Sequence, residues 1–336
     1  MTRPHHLQLR LPPLADGKLA PYRFGRVGDR VVITNDAGYF HLLTQAEHED
    51  LLGGRILAGH PLFEPLRDKG FLGDHLDVGA LADRLRQKKT YVGQGPHLHI
   101  VICTLRCNQS CKYCHASRTA MDQTETDMSL DTAKQVVDHA MQSPSPYLNF
   151  EFQGGEPTLN MPVVKFIVDY SREKNRFENK DLEHSIVTNL THLDEATADW
   201  LVDNEVLVCA SLDGPQELHD YNRPWKAGES AYQQVRKWIT YFNERYAAQG
   251  KDPQQWHVDA LMTTSRKTFD HWKEVIDLYV ELGLHTIHLR PLSPYGFAVD
   301  TWKQIGYSTA EYIDFYRQAL DYIIELNLQG TELVEG

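Results

Sequence analysis

Three cysteines lie close together in Cys107-Asn-Gln-Ser-Cys111-Lys-Tyr-Cys114, a Cys-x3-Cys-x2-Cys spacing that ends in His115. A 4Fe–4S cluster usually takes four thiolates, so three local ones leave one iron open. S-adenosylmethionine (SAM) can chelate that iron through its amino and carboxylate groups. An electron from the reduced cluster would then break the sulfonium C–S bond homolytically and release a 5′-deoxyadenosyl radical, which takes hydrogen from an unactivated C–H bond. The cofactors supply that step, and the protein supplies position and exclusion of water. Tyr113, just before the third cysteine, is placed to shield the cluster and to sit near adenine. Other chemistry fits the same residues. Three thiolates with His115 make a zinc donor set, although zinc motifs usually present two separated ligand pairs. Cys111-x-x-Cys114-His115 is also the haem-attachment pattern, which needs export. A thiol cluster in a loop is the plain structural alternative. The spacing and the train of strands and helices after it favour the iron–sulfur reading.

Further polar motifs recur at the ends of strand-like runs. Gln153-Gly154-Gly155-Glu156-Pro157 follows the second run, and its glycines let backbone approach a ligand closely. Its backbone groups and Glu156 are candidates to receive the SAM ammonium group; a turn leading into a helix is the alternative. Thr188-Asn189 ends the third run. Ser211-Leu-Asp-Gly-Pro215 ends the fourth and leads to Arg223. Asn189 and Ser211 suit ribose hydroxyls or a carboxylate, and the fork of Arg223 suits a carboxylate through charge-assisted bonds; each could equally serve as a cap or turn. His288 and Arg290, two residues apart on the sixth run, share a face and are candidates for the substrate side, or for a structural network.

These motifs need a scaffold that brings strand ends together. From His97 onward, strand-like runs (Leu98–Cys103, Tyr147–Phe152, His184–Thr188, Val206–Leu212, His257–Thr263, Thr286–Leu289) alternate with helical patterns. The helices are near Leu130–Met141, Val163–Lys174, Glu195–Val202, Tyr232–Tyr246 and Trp272–Leu282, and a last one opens with the capping box Ser308-x-x-Glu311 and runs to about Leu328. Strand–helix alternation implies a parallel sheet with right-handed crossovers. Six units are too few for a closed eight-fold barrel, so a partial (βα)6 barrel of α/β class is expected, with its site at the C-terminal strand ends. It would span residues 96–330. Residues 1–20 read as a flexible tail, 77–95 as a linker helix with Gly93 to Pro96 as boundary, and 331–336 as a tail. Residues 21–76 read as a small winged-helix-like α+β domain. Its strands are Gly25–Thr34 and Tyr39–Leu43, a helix capped by Thr44-x-x-Glu47 follows, and a second runs over Pro61–Gly70. Cys103 and Cys209 fall inside strand runs and read as buried core residues rather than ligands.

Composition narrows the classes. The 336 residues carry a formal net charge of −12, which argues against a sequence-blind nucleic-acid partner. No apolar run is long enough to span a membrane, and Met1 to Ala20 lacks the core of a signal peptide. Five cysteines, an odd number with three clustered, suit a reducing cytoplasm and a metal site.

The cysteine loop, Gly154-Gly-Glu-Pro157 and Ser211-Leu-Asp-Gly-Pro215 together resemble radical SAM peptide-modifying enzymes of the SPASM-containing group. Ser143–Pro157, Ala260–Thr264, Leu289–Ala298 and the opening Pro21-Tyr-Arg-Phe24 are similar to the HxsB-type maturases of the His-Xaa-Ser system, over about Pro21 to Gly330. The resemblance implies one 4Fe–4S cluster held by Cys107, Cys111 and Cys114, bound SAM, and an electron donor. Its substrate would be a ribosomally made precursor peptide with His-Xaa-Ser repeats, modified alongside a second radical SAM maturase. The small N-terminal domain would then pair a leader peptide as an added strand, or serve as a cap. The family carries a cysteine-bearing C-terminal extension for auxiliary clusters, whereas no cysteine follows Cys209 here. Two other functions compete: maturation of a folded protein, as by a sulfatase-type activator, and a non-catalytic peptide-binding scaffold.

Overall fold

The computed structural model describes residues 19–116, 118–226 and 228–336, which form two compact units that meet in sequence between Gly95 and Pro96. Residues 1–18 of the expected tail lie outside the described residues. Leu19 and Ala20 are not tail: both are buried, Leu19 bridges Leu72, and Ala20 N donates to Phe71 O.

The first unit is a three-stranded antiparallel meander followed by helices. Strands β1 (Arg23–Val27), β2 (Arg30–Thr34) and β3 (Phe40–Leu43) pair in the order β1-β2-β3. The single strand expected over Gly25–Thr34 is in fact a hairpin that turns at Gly28-Asp29, a dipeptide that signals such a turn. Helix α1 (Gln45–Leu52) starts at the expected capping box of Thr44 and Glu47. Helix α2 (Phe63–Asp68) is shorter than the pattern suggested, and α3 (Val78–Lys88) is capped by Asp77. Ile33, Leu43, Leu51, Leu66 and Phe71 form the buried centre of this unit.

The second unit is an α/β partial barrel. Its elements are β4 (Leu98–Thr104), α4 (Leu130–Ala140), β5 (Tyr147–Gly154), α5 (Met161–Glu178), β6 (Asp181–Thr188) and α6 (Glu195–Asp203). These lead into β7 (Val206–Ser211), α7 (Gln216–Asn222), α8 (Ala231–Ala248), β8 (Asp259–Leu261) and α9 (Trp272–Glu281). The last are β9 (Thr286–Ile287), α10 (Phe297–Ile305), α11 (Thr309–Leu328) and β10 (Val334–Glu335). Strands β4 to β8 form one parallel sheet in sequence order. The sixth run contributes only the two residues of β9, which pair with β10 instead; beyond it Pro291 and Pro294 supply no N–H for a ladder. Residues 331–336 are therefore no free tail: Leu333 is buried and β10 lies parallel to β9. Helices α7 and α10 are additional to the helical patterns expected from sequence.

Alternation along the strands separates two faces. In β5, Leu148, Phe150 and Phe152 are fully buried under the helices, whereas Asn149, Glu151 and Gln153 stay half-buried. Strand β7 repeats this: Val206, Val208 and Ala210 are buried, and Leu207, Cys209 and Ser211 face the half-open side. A parallel sheet normally has both faces covered and reads as continuous apolar runs. The second face, polar along β5 but carrying the exposed Leu98, Ile100 and Ile102 on β4, marks the concave interior of the barrel. Cys103 is fully buried as expected, but Cys209 is a half-buried residue of the interior face rather than of the core, because the strand's two-residue period puts it beside Ser211.

Candidate active site

The cysteine loop leaves the end of β4 and is held by its neighbours at nearly every turn. Arg106 makes a two-pronged ion pair with Asp127, Nε to Oδ1 at 2.8 Å and Nη2 to Oδ2 at 2.6 Å, and also donates to the carbonyls of Met121 and Leu159. Thr104 Oγ1 donates to the same Asp127. The chain after α7 pins the middle of the loop: Ser110 N donates to Pro224 O and Lys112 N to Asn222 O, with Lys112 Nζ over the Tyr221 ring. The start of α10 holds its end, where Phe297 N donates to Cys114 O and Thr301 Oγ1 to Lys112 O. Gly296, at φ 58°, passes so close that a Cβ there would overlap Cys114 O. Asp127 and Thr301 have no local motif in the sequence, and Gly296 lies in the Leu289–Ala298 stretch without a marked role, because their partners lie far away in the chain.

Gly154 and Gly155 serve this same loop. A Cβ on Gly154 would overlap the carbonyl of Thr104, and one on Gly155 the carbonyls of Leu105 and Arg106. Gly155 N and Glu156 N donate to Thr104 O and Arg106 O, each at 2.8 Å. The close approach expected toward a ligand is thus made toward the backbone of the cysteine loop. Glu156 also differs from expectation. Its carboxylate is fully buried and accepts four hydrogen bonds: Oε1 accepts from Thr158 N and Oγ1 and from Thr188 Oγ1, and Oε2 from Asn189 N. It does not line the cavity below. Its geometry is that of a clamp joining the ends of β5 and β6, not of an ammonium receptor.

The loop, the strand ends and the interior face enclose a cavity of about 330 Å3, within the range of small-molecule sites, roughly 300–1,000 Å3. Cys107, Cys111, Cys114, Tyr113, Gly154, Gly155, Asn189, Ser211, Arg223 and Arg290 all line it. Of the residues singled out from sequence, Glu156 and His288 do not. His288 is exposed beside Gly336; the chain leaves strand geometry after Ile287 and turns there, with Arg290 N donating to His288 O.

Behind the cavity stands a buried charged group. Tyr113 donates its hydroxyl to Asp213 Oδ2, Thr263 N donates to Asp213 Oδ1, and Arg223 Nε lies 3.3 Å from Oδ2 in an ion pair without hydrogen-bond alignment. Burial pushes the Tyr113 phenol well above its ordinary range, so it stays a donor. Breaking a buried pair such as Asp213–Arg223 costs roughly 3–5 kcal/mol, since a charge is left uncompensated.

The donor chemistry fits an iron–sulfur cluster with a bound small molecule. Three thiols of one loop face one cavity. Burial raises the Cys107 thiol to about 12 and the Cys111 thiol to about 11, so both stay protonated until a metal supplies positive charge. Among the described residues no three His, Cys, Asp or Glu side chains gather on one point as for a single ion; a multi-iron cluster spreads its ligands over several metals. On the cavity wall, Gln109 Nε2 and Arg118 Nε are buried donors without a hydrogen-bond partner among the described residues, and Arg223 Nε has only its ion pair with Asp213, as expected where a polar group is to be received.

The sequence of residues 101–248, which carries the cysteine loop and strands β5 to β7, matches the family model of the Radical SAM superfamily. Among curated relatives, the chain is similar to the cysteine-type anaerobic sulfatase-maturating enzyme of Clostridium perfringens, at 28% identity over 41% of this chain and 38% of the relative. It is also similar to the uncharacterized protein MJ0907 of Methanocaldococcus jannaschii, at 33% identity over 39% of this chain and 43% of that protein. The alignments thus span less than half the length of these relatives. Among solved structures, native anSMEcpe with bound AdoMet has a TM-score of 0.58 at 22% identity, covering 70% of this chain and 63% of the other. Streptococcus suis SuiB bound to S-adenosylmethionine has a TM-score of 0.54 at 15% identity, covering 96% of this chain and 72% of the other. At these identities the likeness establishes the α/β partial-barrel fold. No helix among the described residues is long and apolar enough to cross a membrane.

Proposed function

We propose that this chain is a radical SAM maturase that abstracts hydrogen from a ribosomally made precursor peptide of the His-Xaa-Ser type. The observation that carries the reading is the convergence of Cys107, Cys111, Cys114 and Arg223 on one cavity at the strand ends of a Radical SAM fold. Cys107, Cys111 and Cys114 hold one 4Fe–4S cluster, and the bound cluster and SAM supply the 5′-deoxyadenosyl radical. Arg223 and Ser211 orient the SAM carboxylate, Gly154 and Gly155 face the ligand with backbone, and Tyr113 screens the site from water. Arg290, on the cavity wall, is the substrate-side candidate that remains after His288. Another structure of anSMEcpe contains a bound Cp18Cys peptide, and one of SuiB is bound to precursor peptide SuiA, which supports a peptide substrate. In the first unit, β1 and β3 are the sheet's edges and expose Phe24, Val27, Phe40 and Leu42, which suits a leader peptide added as a strand.

The similarity to sulfatase-maturating enzymes favours a second reading, maturation of a folded protein. Mass spectrometry after anaerobic turnover separates the two. A His-Xaa-Ser peptide should be modified in step with 5′-deoxyadenosine release while a sulfatase-derived peptide is left intact. The opposite pattern establishes the second reading.

A further inference from the structure

We infer that two side-chain amides, Asn189 and Gln109, donate hydrogen bonds to the thiolates of the cluster and set its reduction potential. The inference rests on the cluster assignment above but assigns Asn189 a different partner from the ribose or carboxylate.

The orientation of the Asn189 amide is fixed from both ends. Its Oδ1 accepts from Thr191 N at 2.9 Å and Thr191 Oγ1 at 2.6 Å, so the nitrogen must face the other way. One N–H goes to Asn108 Oδ1 at 2.9 Å. The other faces Cys107 Sγ at 3.7 Å. The backbone N of Asn189 is held by Glu156 Oε2, so strand β6 and the clamp together aim this amide at the sulfur. Cys107 Sγ also receives the backbone N–H of Gln109 at 3.4 Å.

Gln109 makes the parallel case at Cys111. Its side chain is 1% exposed and lines the cavity. Its Oε1 accepts from the Cys111 thiol at 3.6 Å, whereas its Nε2 is buried with no partner among the described residues. A thiolate that ligates iron has no S–H to give, and a carbonyl oxygen against it would be repelled. Half a turn of the amide exchanges its two ends and puts Nε2–H against Sγ. The amide thus carries an orphaned donor in the metal-free protein and a paired one once the cluster is bound. Cys114 has no such side-chain donor among the described residues, so the three thiolates are not equivalent.

Hydrogen bonds to cluster sulfurs draw off negative charge and favour the reduced form, which raises the potential. Asn189→Leu and Gln109→Met each remove a donor to sulfur at similar volume, and Asn189→Leu also removes the bonds to Asn108 and Thr191, so its iron content is read beside its potential. The test is anaerobic potentiometry of the reconstituted holoprotein without SAM, following the reduced cluster by electron paramagnetic resonance, with iron and sulfide measured in each sample. Each variant should keep wild-type iron and shift the reduction equilibrium about tenfold toward the oxidised form, about 59 mV lower for a one-electron couple. Gln109→Met in the metal-free protein should melt no lower than wild type, because an unpaired buried donor has been removed. Unchanged potentials at full iron content would overturn the inference. So would loss of iron by both variants, which would make the amides supports of the loop. Failure of the wild-type protein to bind iron would instead sink the cluster assignment under the proposed function.

Discussion

At the scale of single residues, chemistry and support divide in a way that residue type alone does not reveal. The three cysteines, Tyr113, Ser211 and Arg223 stand out in the sequence by type and spacing, and each lines the cavity. Glu156 reads equally well as a receptor or a clamp in sequence. Only the four groups that surround its carboxylate decide, and these come from Thr158, Thr188 and Asn189. The glycine pair reads in sequence as a place of close approach to a ligand; both glycines line the cavity, and nothing local shows that β5 also ends against the carbonyls of Thr104 to Arg106. A direct consequence follows for Gly155→Ala. Its methyl must displace the cysteine-loop backbone, an overpacking cost of roughly 1–3 kcal/mol. The variant should fold, melt lower, and retain less iron than wild type after the same reconstitution. Melting by circular dichroism with an iron assay checks this, and full iron at the wild-type melting temperature would contradict it.

At the scale of elements, alternation and capping were enough to place most strands and helices. Ser308 with Glu311 and Thr44 with Glu47 start their helices as their spacing predicts, since each box satisfies backbone donors locally. What failed was pairing across distance. The sixth run looked like its five predecessors, yet it pairs with a strand formed at 334–335, and prolines end its ladder. Packing under the sheet carries its own prediction. His184 is stacked between Phe150 and Phe152 with Nε2 at 2.8 Å from Ser171 Oγ, and burial pushes its pKa down to about 3. The unfolded chain takes up this proton near the ordinary value of 6.5, so between 6.5 and about 3 the unfolded state binds more protons. The stabilisation is whole above 6.5 and is lost as pH falls through that window. Between pH 7.5 and 5 the loss from this residue is roughly 2 kcal/mol. Denaturant titrations of wild type and His184→Leu at both values check it: the variant should lose less stability on acidification, and equal losses would count against a buried neutral histidine.

At the scale of the whole molecule, one barrel brings residues from six strand ends to a single cavity, and the account ties that cavity to one cluster. Of the five cysteines, Cys103 is sealed in the core and Cys209 stands alone on the interior face, so neither can supply the thiolates of a second cluster. Reconstituted protein should therefore bind about four irons per chain, and iron with sulfide analysis near eight would mean that non-cysteine ligands hold another cluster. The central claim is that the loop thiols bind a cluster able to cleave SAM. Its most direct test is 5′-deoxyadenosine formation from SAM by anaerobically reconstituted, reduced protein, measured by chromatography for wild type and single cysteine variants. Wild type should form it. Cys107→Ala, Cys111→Ala and Cys114→Ala should each abolish it, and Cys103→Ala and Cys209→Ala should retain most of it. No 5′-deoxyadenosine from iron-loaded wild type, or equal loss in Cys209→Ala, would contradict the account.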